Sequence, residues 1–324
     1  MKTKTAHNLK ILNYCFFTKQ HLCRLRAVGK VTIYENTKSK NEATQRLKGT
    51  EIAVANGLFA PLTGEVLRKA KDLKLLIVNS TGYDFVDMNA AAECGIRVAN
   101  VPGFSTEAVA EYVFALLFAI VRKLPTVDKA MRKTPFEVNP GEEKSWSLLG
   151  NNLQGKTLGI VGLGTIGKRV AELGKAFGMN VLAYSRTPKK IPYVRCTPFQ
   201  EVLKKSDVVS LHLALTPETK KIISKKELKI MKPASIIINT ARGELIDTGA
   251  LARALKRQKI AGAGLDMIAN AGTNRSICKE AAVICSPHVG WWTHESVLLQ
   301  SETIVETIEA FIKGRPIHII SRPR

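Results

Sequence analysis

Apolar and polar positions fall into blocks along this chain, and the period changes from block to block. The short apolar runs "KILNY" (10–14), "KVTIYE" (30–35), "IAVAN" (52–56), "LKLLIVN" (73–79) and "RVANV" (97–101) read as strands. Between them, 18–28, 41–48, 63–71 and 87–95 carry helical spacing. Strands and helices alternating at this interval predict a parallel sheet with crossover helices. "STEAVAEYVFALLFAIVRKL" (105–124) predicts one long helix, acidic in its first turn and basic in its last, as the helix dipole favours. It is apolar on most faces, which predicts burial. Residues 126–150 are polar, contain Pro135, Pro140 and Gly141, and read as an extended connection or arm. At Gly155 the alternation restarts. "TLGIVG", "NVLAYS", "DVVSLHL", "ASIIINT", "AGAGLD" and "AVICSPH" are the next strands, with helices at 165–177, 198–205, 224–231 and 247–258. "SVLLQSETIVETIEAFIKG" closes the pattern as a helix ending at Gly314. The fold class expected is α/β, with two doubly wound parallel-sheet domains.

Composition changes this picture little. The chain has 324 residues, 45% of them hydrophobic, enough for two cored domains. Net charge is +22, which raises the question of nucleic acid. The basic excess is spread out, with no long basic run, no RNP-like motif and no zinc-finger spacing, so a generally basic surface is expected and nucleic acid is not. Cys15, Cys23, Cys94, Cys196, Cys278 and Cys285 show no CxxC spacing and are expected as free thiols of a reducing, cytoplasmic compartment. No metal-binding spacing stands out. "MKTKTAHNLKILNYCFF" is read as leading into a first strand rather than as a secretion signal. The longest apolar run, "YVFALLFAIV" (112–121), is far shorter than the roughly 20 residues of a membrane span.

The first motif with chemistry is Gly162, Gly164 and Gly167 in "TLGIVGLGTIGKRVAELGKAFG". A G-x-G-x-x-G with a strand before it and a helix after it is a dinucleotide-binding turn. The first glycine allows the tight turn, the second lets backbone approach a pyrophosphate, and the third lets helix pack on strand. The helix N-terminus offers N–H groups and positive dipole to the anion. An acid at the end of the next strand would accept bonds from the ribose hydroxyls of NAD. That strand ends instead on Ser185, Arg186 and Thr187. A guanidinium fork flanked by two hydroxyls suits a 2′-phosphate, and Lys189 and Lys190 add positive field. NADP(H) is therefore expected, with NAD as second choice.

Three later strands end on reactive groups: Arg242 after "IIINTA", Asp266 after "AGAGL" and His288 after "AVICSP". Open α/β sheets bind ligands at such ends. Trp291 and Trp292 follow His288, either as walls of a side-chain pocket or as core.

With these residues in view, the chain resembles the D-isomer-specific 2-hydroxyacid dehydrogenases, of the glycerate dehydrogenase and glyoxylate/hydroxypyruvate reductase type. The stretches that carry the resemblance are "STGYDFVD", "GIRVANVPGFSTEAVAEYVFALL", "LQGKTLGIVGLGTIGKRVA", "SDVVSLHLALTPET", "MKPASIIINTARGELID" and "SPHVGWWT", in the family's order over nearly the whole length. The resemblance implies a Rossmann cofactor domain (103–290) inserted into a flavodoxin-like substrate domain (1–102, resumed at 291–324), and a homodimer. It implies an oxidoreductase moving a hydride between NADP(H) and a small 2-keto or 2-hydroxy acid. Arg242 would hold the substrate carboxylate and polarise the keto oxygen. His288 would donate or take the proton. The backbone at Thr81 and Gly82 would bind the carboxylate, and Trp291 would touch the substrate. Thr106, Gly162, Gly164, Thr165, Ile166, Gly167, Ser185, Arg186, Thr187, His212, Leu213, Thr219, Ala241 and Asp266 would line the cofactor. An arginine fork matches a planar carboxylate, and the imidazole titrates near neutrality.

The chain departs from the family at two places. Ala214 stands where a proline is usual. More seriously, the glutamate that follows the aspartate of "GAGLD" by five residues, and that pairs with the histidine, is Ala271. No acid occurs between Asp266 and Glu280. Loss of that partner leaves three readings: a slower reductase with an acid-shifted optimum, a reductase with a substitute partner such as Glu295 or an acid from elsewhere in the fold, or a weakly active or inactive cofactor-binding regulatory protein on the same fold. The identity of the keto acid and the direction of the reaction are not encoded in any motif.

Overall fold

The structure is a computed structural model and describes residues 7–321 apart from 134–136, 188, 270, 271, 273, 274 and 281. Ala271 thus lies outside the described residues. The chain forms two compact units. One comprises the residues up to Ser105 and those from Trp292 onward; the other runs from Thr106 to Trp291.

In the first unit, β1 (His7–Ile11), β2 (Gly29–Ile33), β3 (Ile52–Ala55), β4 (Leu75–Val78) and β5 (Arg97–Ala99) make one parallel sheet in the order β2-β1-β3-β4-β5. Leu9 sits opposite Val31 on one side and Ile52 on the other. β3 and β4 are buried along their whole length, which is why they read as continuous apolar runs rather than alternating ones. The crossovers are α1 (Lys19–Val28), α2 (Lys40–Leu47), α3 (Gly64–Lys69) and α4 (Met88–Glu93). Capping boxes start α1 at Thr18 with His21, and α2 at Ser39 with Glu42.

The second unit contains α5 (Thr106–Val121), α6 (Leu124–Lys133), α7 (Glu143–Trp146), then β6 (Thr157–Val161), α8 (Thr165–Ala176), β7 (Asn180–Tyr184) and β8 (Val194–Cys196). It continues with α9 (Phe199–Lys205), β9 (Val208–Leu211), α10 (Lys225–Ile230), β10 (Ile236–Asn239), α11 (Thr248–Lys256), β11 (Gly262–Leu265) and β12 (Val283–Cys285). All seven strands are parallel, in the order β12-β11-β10-β9-β6-β7-β8. Successive strand residues face opposite layers. Ile160 and Ile238 join Val113 of α5 and Val170 of α8, whereas Val161 and Ile237 join Val202, Leu228 and Leu251 of α9, α10 and α11. The chain leaves β6 for β7 on one side and returns as β9 on the other. That reversal opens a crevice beyond the C-terminal ends of β6 and β9, where doubly wound sheets take their ligands.

The last helix, α12 (His294–Ile312), belongs to the first unit and packs on α1. Arg24 of α1 forks onto Glu309, with 2.9 and 3.1 Å bonds, and also reaches Glu302. Ile319 then bridges antiparallel to Ala99. Among the described residues no helix is long and apolar enough to cross a membrane.

Three features differ from the sequence expectations. The stretch expected to be an extended arm begins with a helix, α6. Leu124, Val127 and Met131 recur at helical spacing with polar residues between them, and no residue of α6 is buried. A short strand, β8, extends the edge beyond β7. Finally, the cysteines are not all free thiols: Cys278 and Cys285 form a disulfide, with Cα atoms 5.8 Å apart. A 3₁₀ turn (Arg275–Lys279) folds back onto β12 and brings together two residues that spacing alone does not pair. Cys15, Cys23, Cys94 and Cys196 are free.

Candidate active site

At the end of β6 the chain turns through Gly162, whose φ of 104° is closed to other residues at low cost. A Cβ on Gly162 would also lie 2.5 Å from the His212 carbonyl oxygen. Gly167 packs so closely on Gly162 that a Cβ there would strike the Gly162 carbonyl oxygen. Gly164 is the opposite case. It is exposed, nothing lies within 4 Å of where its Cβ would be, and it caps α8 with no side chain on the helix N-terminus. An open backbone cradle at the start of a helix of this length fits a diphosphate. Thr165 is exposed and Ile166 half-buried beside it.

Ser185, Arg186 and Thr187 leave β7 on the same edge, with the last two exposed. Lys189 donates from Nζ to the Leu163 carbonyl at 2.8 Å, so its ammonium lies on the glycine turn itself. Sequence reasoning gave this lysine only a general field. Its signal was there, a lysine four residues after Ser185, but contact with the turn needs the fold. Across the crevice, His212 and Leu213 follow β9, and Thr219 closes the next turn by donating to the Ala214 carbonyl at 2.7 Å. Ala214 therefore makes this turn without the usual proline. His212 is pushed down to about 4 by burial, and its Nε2 lies 2.8 Å from Ser210 Oγ. Glu218 is held below the ordinary carboxylate value by Thr216 and by its own backbone, with Arg186 contributing a further attraction.

The second set of groups lies at the ends of β10, β11 and β12. The buried Asn239 splints the turn after β10: its amide accepts from Ala241 N at 3.1 Å and donates to the Arg242 carbonyl at 2.8 Å. Arg242 in turn donates from Nη1 to the Ala241 carbonyl at 3.0 Å. Asp266, 2% exposed, is the hub of the next two strand ends. Its carboxylate accepts from Ser286 Oγ at 2.7 Å, Val289 N at 2.9 Å and Gly290 N at 2.9 Å. Its carbonyl accepts from His288 N at 2.8 Å. His288 holds φ at 61°, a left-handed conformation for a non-glycine residue. Burial lowers its pKa from the ordinary value, Asp266 opposes that fall, and Arg242 adds to it. His288 is joined to Asp266 through the backbone, and Asp266 and Arg242 act on its charge in opposite directions. The loop-holding function of Asp266 and the Asn239 splint were not legible in the sequence.

Thr106 opens α5, Ala241 precedes Arg242, and Trp291 is half-buried at the end of this unit. Thr81 and Gly82 lie in the first unit, on the turn after β4. There Thr81 Oγ1 donates to Val101 O at 3.0 Å, Thr81 O accepts from Asn100 Nδ2 at 2.8 Å, and Gly82 O accepts from Ser80 Oγ at 2.7 Å. Trp292 is exposed in that same unit.

Comparison with known proteins places this chain in a family. Residues 114–290 match the model of the D-isomer specific 2-hydroxyacid dehydrogenase NAD binding domain. A glyoxylate reductase of Thermococcus litoralis is 40% identical over 267 residues, covering 80% of each chain. A glycerate dehydrogenase of Methylorubrum extorquens is 35% identical over 299 residues, covering 89% of this chain and 90% of its own. Among solved structures, the acyclic imino acid reductase Bsp5 in complex with NADPH and D-Arg superposes with a TM-score of 0.90 at 32% identity, over 96% of this chain and 99% of that one. The chain belongs to the D-isomer specific 2-hydroxyacid dehydrogenase family and is a nicotinamide-dependent oxidoreductase of small 2-hydroxy acids.

Proposed function

We propose that this enzyme is an NADP(H)-preferring reductase of small 2-keto acids such as glyoxylate and hydroxypyruvate, giving the D-hydroxy acid. The observation that carries the cofactor choice is the end of β7. Ser185, Arg186 and Thr187 stand there in place of an acid, with the Lys189 ammonium already on the glycine turn. An acid would repel a 2′-phosphate, whereas these groups bind one. Gly162, Gly164, Thr165, Ile166 and Gly167 take the diphosphate, while His212, Leu213 and Thr219 line the adenosine side. Thr106, Ala241 and Asp266 complete the nicotinamide side.

When bound, NADPH supplies the hydride, and this chain's residues do the rest. The Arg242 fork pairs with the substrate carboxylate and polarises the carbonyl, helped by the backbone at Thr81 and Gly82. The His288 imidazolium gives its proton to the carbonyl oxygen as carbon is reduced, and takes one back in the reverse direction. Trp291 walls the side-chain end. The unit around β6–β12 serves the cofactor and the other unit the substrate.

The active form is a homodimer in the cytoplasm. α6 supports the first statement, since Leu124, Val127 and Met131 are exposed at helical spacing and suit a second copy of the chain. Exposed free thiols at Cys23 and Cys94 fit a reducing compartment, in which the Cys278–Cys285 link is the exception. Leu124→Asp is expected to lower the mass seen by light scattering to that of a monomer.

The deciding experiment is a turnover panel with NADPH and NADH against glyoxylate, hydroxypyruvate and bulkier keto acids, alongside dissociation constants for both cofactors. Tighter NADH binding overturns the cofactor choice. NADPH binding with no turnover of any keto acid identifies instead a cofactor-binding regulatory protein on this fold.

A further inference from the structure

The disulfide lies close to the reactive end of the second unit. Cys278 is exposed on its 3₁₀ turn, and Cys285 is half-buried as the last residue of β12. Leu265 and Cys285 are register partners, and the next residue, Ser286, donates its N–H to Leu265 O at 3.0 Å. Ser286 Oγ then bonds to Asp266, which holds His288 in its left-handed conformation. The covalent link therefore ends one residue before the loop that positions the imidazole. The buried Ile277 anchors the turn that carries the other half of the link.

We propose that Cys278 and Cys285 are a reversible redox-modification site, whose disulfide clamps the strand end that carries His288. The effect on turnover rests on the role of His288 given above; the site itself does not. A cysteine pair whose Cα atoms are 5.8 Å apart closes without backbone movement. The exposed member is open to small thiols and disulfides. In the oxidising direction, the Cys278 thiolate attacks one sulfur of a low-molecular-weight disulfide and expels one small thiolate. The Cys285 thiolate then attacks Cys278 Sγ and expels the second small thiol. Two electrons pass from the protein thiols to the small disulfide, and the two protons leave with the small thiols. Reduction reverses each step. The bonded form is the ordered one, with the Asp266 loop held; reduction removes the covalent tie between the 3₁₀ turn and the end of β12, leaves Ile277 holding the turn, and loosens the start of that loop.

The test equilibrates the full-length protein with oxidised glutathione or with dithiothreitol. Peptide mapping by mass spectrometry then reads the link, fluorescence reads NADPH affinity, and steady-state assays read turnover. The expected result is a Cys278–Cys285 peptide pair in the oxidised sample and two free thiols in the reduced one. NADPH affinity should be unchanged, and kcat for keto-acid reduction should fall at least about threefold on reduction, well within the ~10²-fold that a 1 Å misplacement costs. Cys278→Ser should be insensitive to either reagent and behave as the reduced form, while Cys196→Ser should respond like the unmodified protein. Free thiols at both positions after oxidation overturn the site. A link that forms with kcat identical in both states overturns the clamp. A link that forms in a protein with no turnover in either state sinks the assignment of function and leaves the redox site standing.

Discussion

Two tight turns at the same edge of one sheet do different work and are built by different means. The turn after β6 is a backbone device: Gly162 takes φ 104° freely, Gly167 lets α8 close on it, and Gly164 leaves the helix N-terminus bare. The turn after β12 places a side chain. His288 takes φ 61°, which costs of order 1–2 kcal/mol for a residue with a Cβ, and three N–H groups and one hydroxyl bound to Asp266 hold it there. The glycine turn depends on what its residues lack and the histidine turn on what surrounds it. The two turns should therefore fail separately.

The largest separation is expected from the chemical end. His288→Asn removes the proton donor and should lower kcat for reduction by roughly 10²–10⁴-fold. Arg242→Lys keeps the charge but loses the planar fork, and should fail as badly on kcat/KM. Both should bind NADPH within about twofold of the unmodified protein, since neither residue touches the glycine turn. Near-normal turnover in Arg242→Lys would remove the carboxylate assignment. The converse variant is Arg186→Ala. It should weaken NADPH by about 1.5–3 kcal/mol, the value of a charge-assisted bond, and leave NADH and the keto-acid KM unchanged. Equal loss for both cofactors would mean that the 2′-phosphate is bound elsewhere.

Asp266→Asn acts on the hub rather than on either reactive group. An asparagine accepts through one oxygen only, so at least one of Ser286 Oγ, Val289 N and Gly290 N loses its acceptor. The cost in urea unfolding should be about 1–3 kcal/mol. Loss of the anion also removes the influence that opposes the fall of the His288 pKa. Reduction needs the imidazolium, so the pH at which its rate halves should move down. A stability loss with no movement of the pH profile would make Asp266 a scaffold for the loop and nothing more.

The sequence and the structure agree best where backbone periodicity carries the information. The restart of strand–helix alternation at Gly155 announces a second sheet, because each strand of such a sheet is buried on both faces and each helix on one. The glycine spacing announces the turn, since the geometry demands residues without a Cβ. Part of what stays hidden depends on contacts between distant segments. α6 is missed when the stretch is read for its polar residues and its prolines further on, although Leu124, Val127 and Met131 carry the helical period. The Cys278–Cys285 pair and the Lys189 contact with Leu163 both require the chain to fold back first, whereas the Asn239 splint is local, bonding only to Ala241 and Arg242. Arg242, Asp266 and His288 stand between these extremes. Each could be placed at a strand end from sequence, but their electrostatic coupling and the Asp266 hydrogen bonds could not.

The smallest effect expected concerns Ala271, the position at which the family resemblance implies a glutamate paired with the histidine. Among the described residues the anion acting on His288 is Asp266, and burial and Arg242 keep the imidazole below its ordinary value of 6.5. The imidazolium fraction, and with it the rate of reduction, falls as pH rises through that lowered value. Oxidation of the hydroxy acid needs the neutral ring and persists to lower pH. The same sign holds for stability: folding favours the neutral ring, so this contribution is complete above pH 6.5 and declines as pH falls towards the folded value. Ala271→Glu adds an anion that favours the imidazolium. The half-rate pH for reduction should move up by about one unit, and the neutral-pH rate should rise by at most ~10-fold, since one unit is about 1.4 kcal/mol. Ala271→Gln is the control, matching the size without the charge. Glu moving the profile where Gln does not would show that charge at this position tunes the proton donor. Equal behaviour of the two variants would mean that His288 is already served by Asp266, and that the chain has moved the partner's task from position 271 to the hub that also shapes the loop.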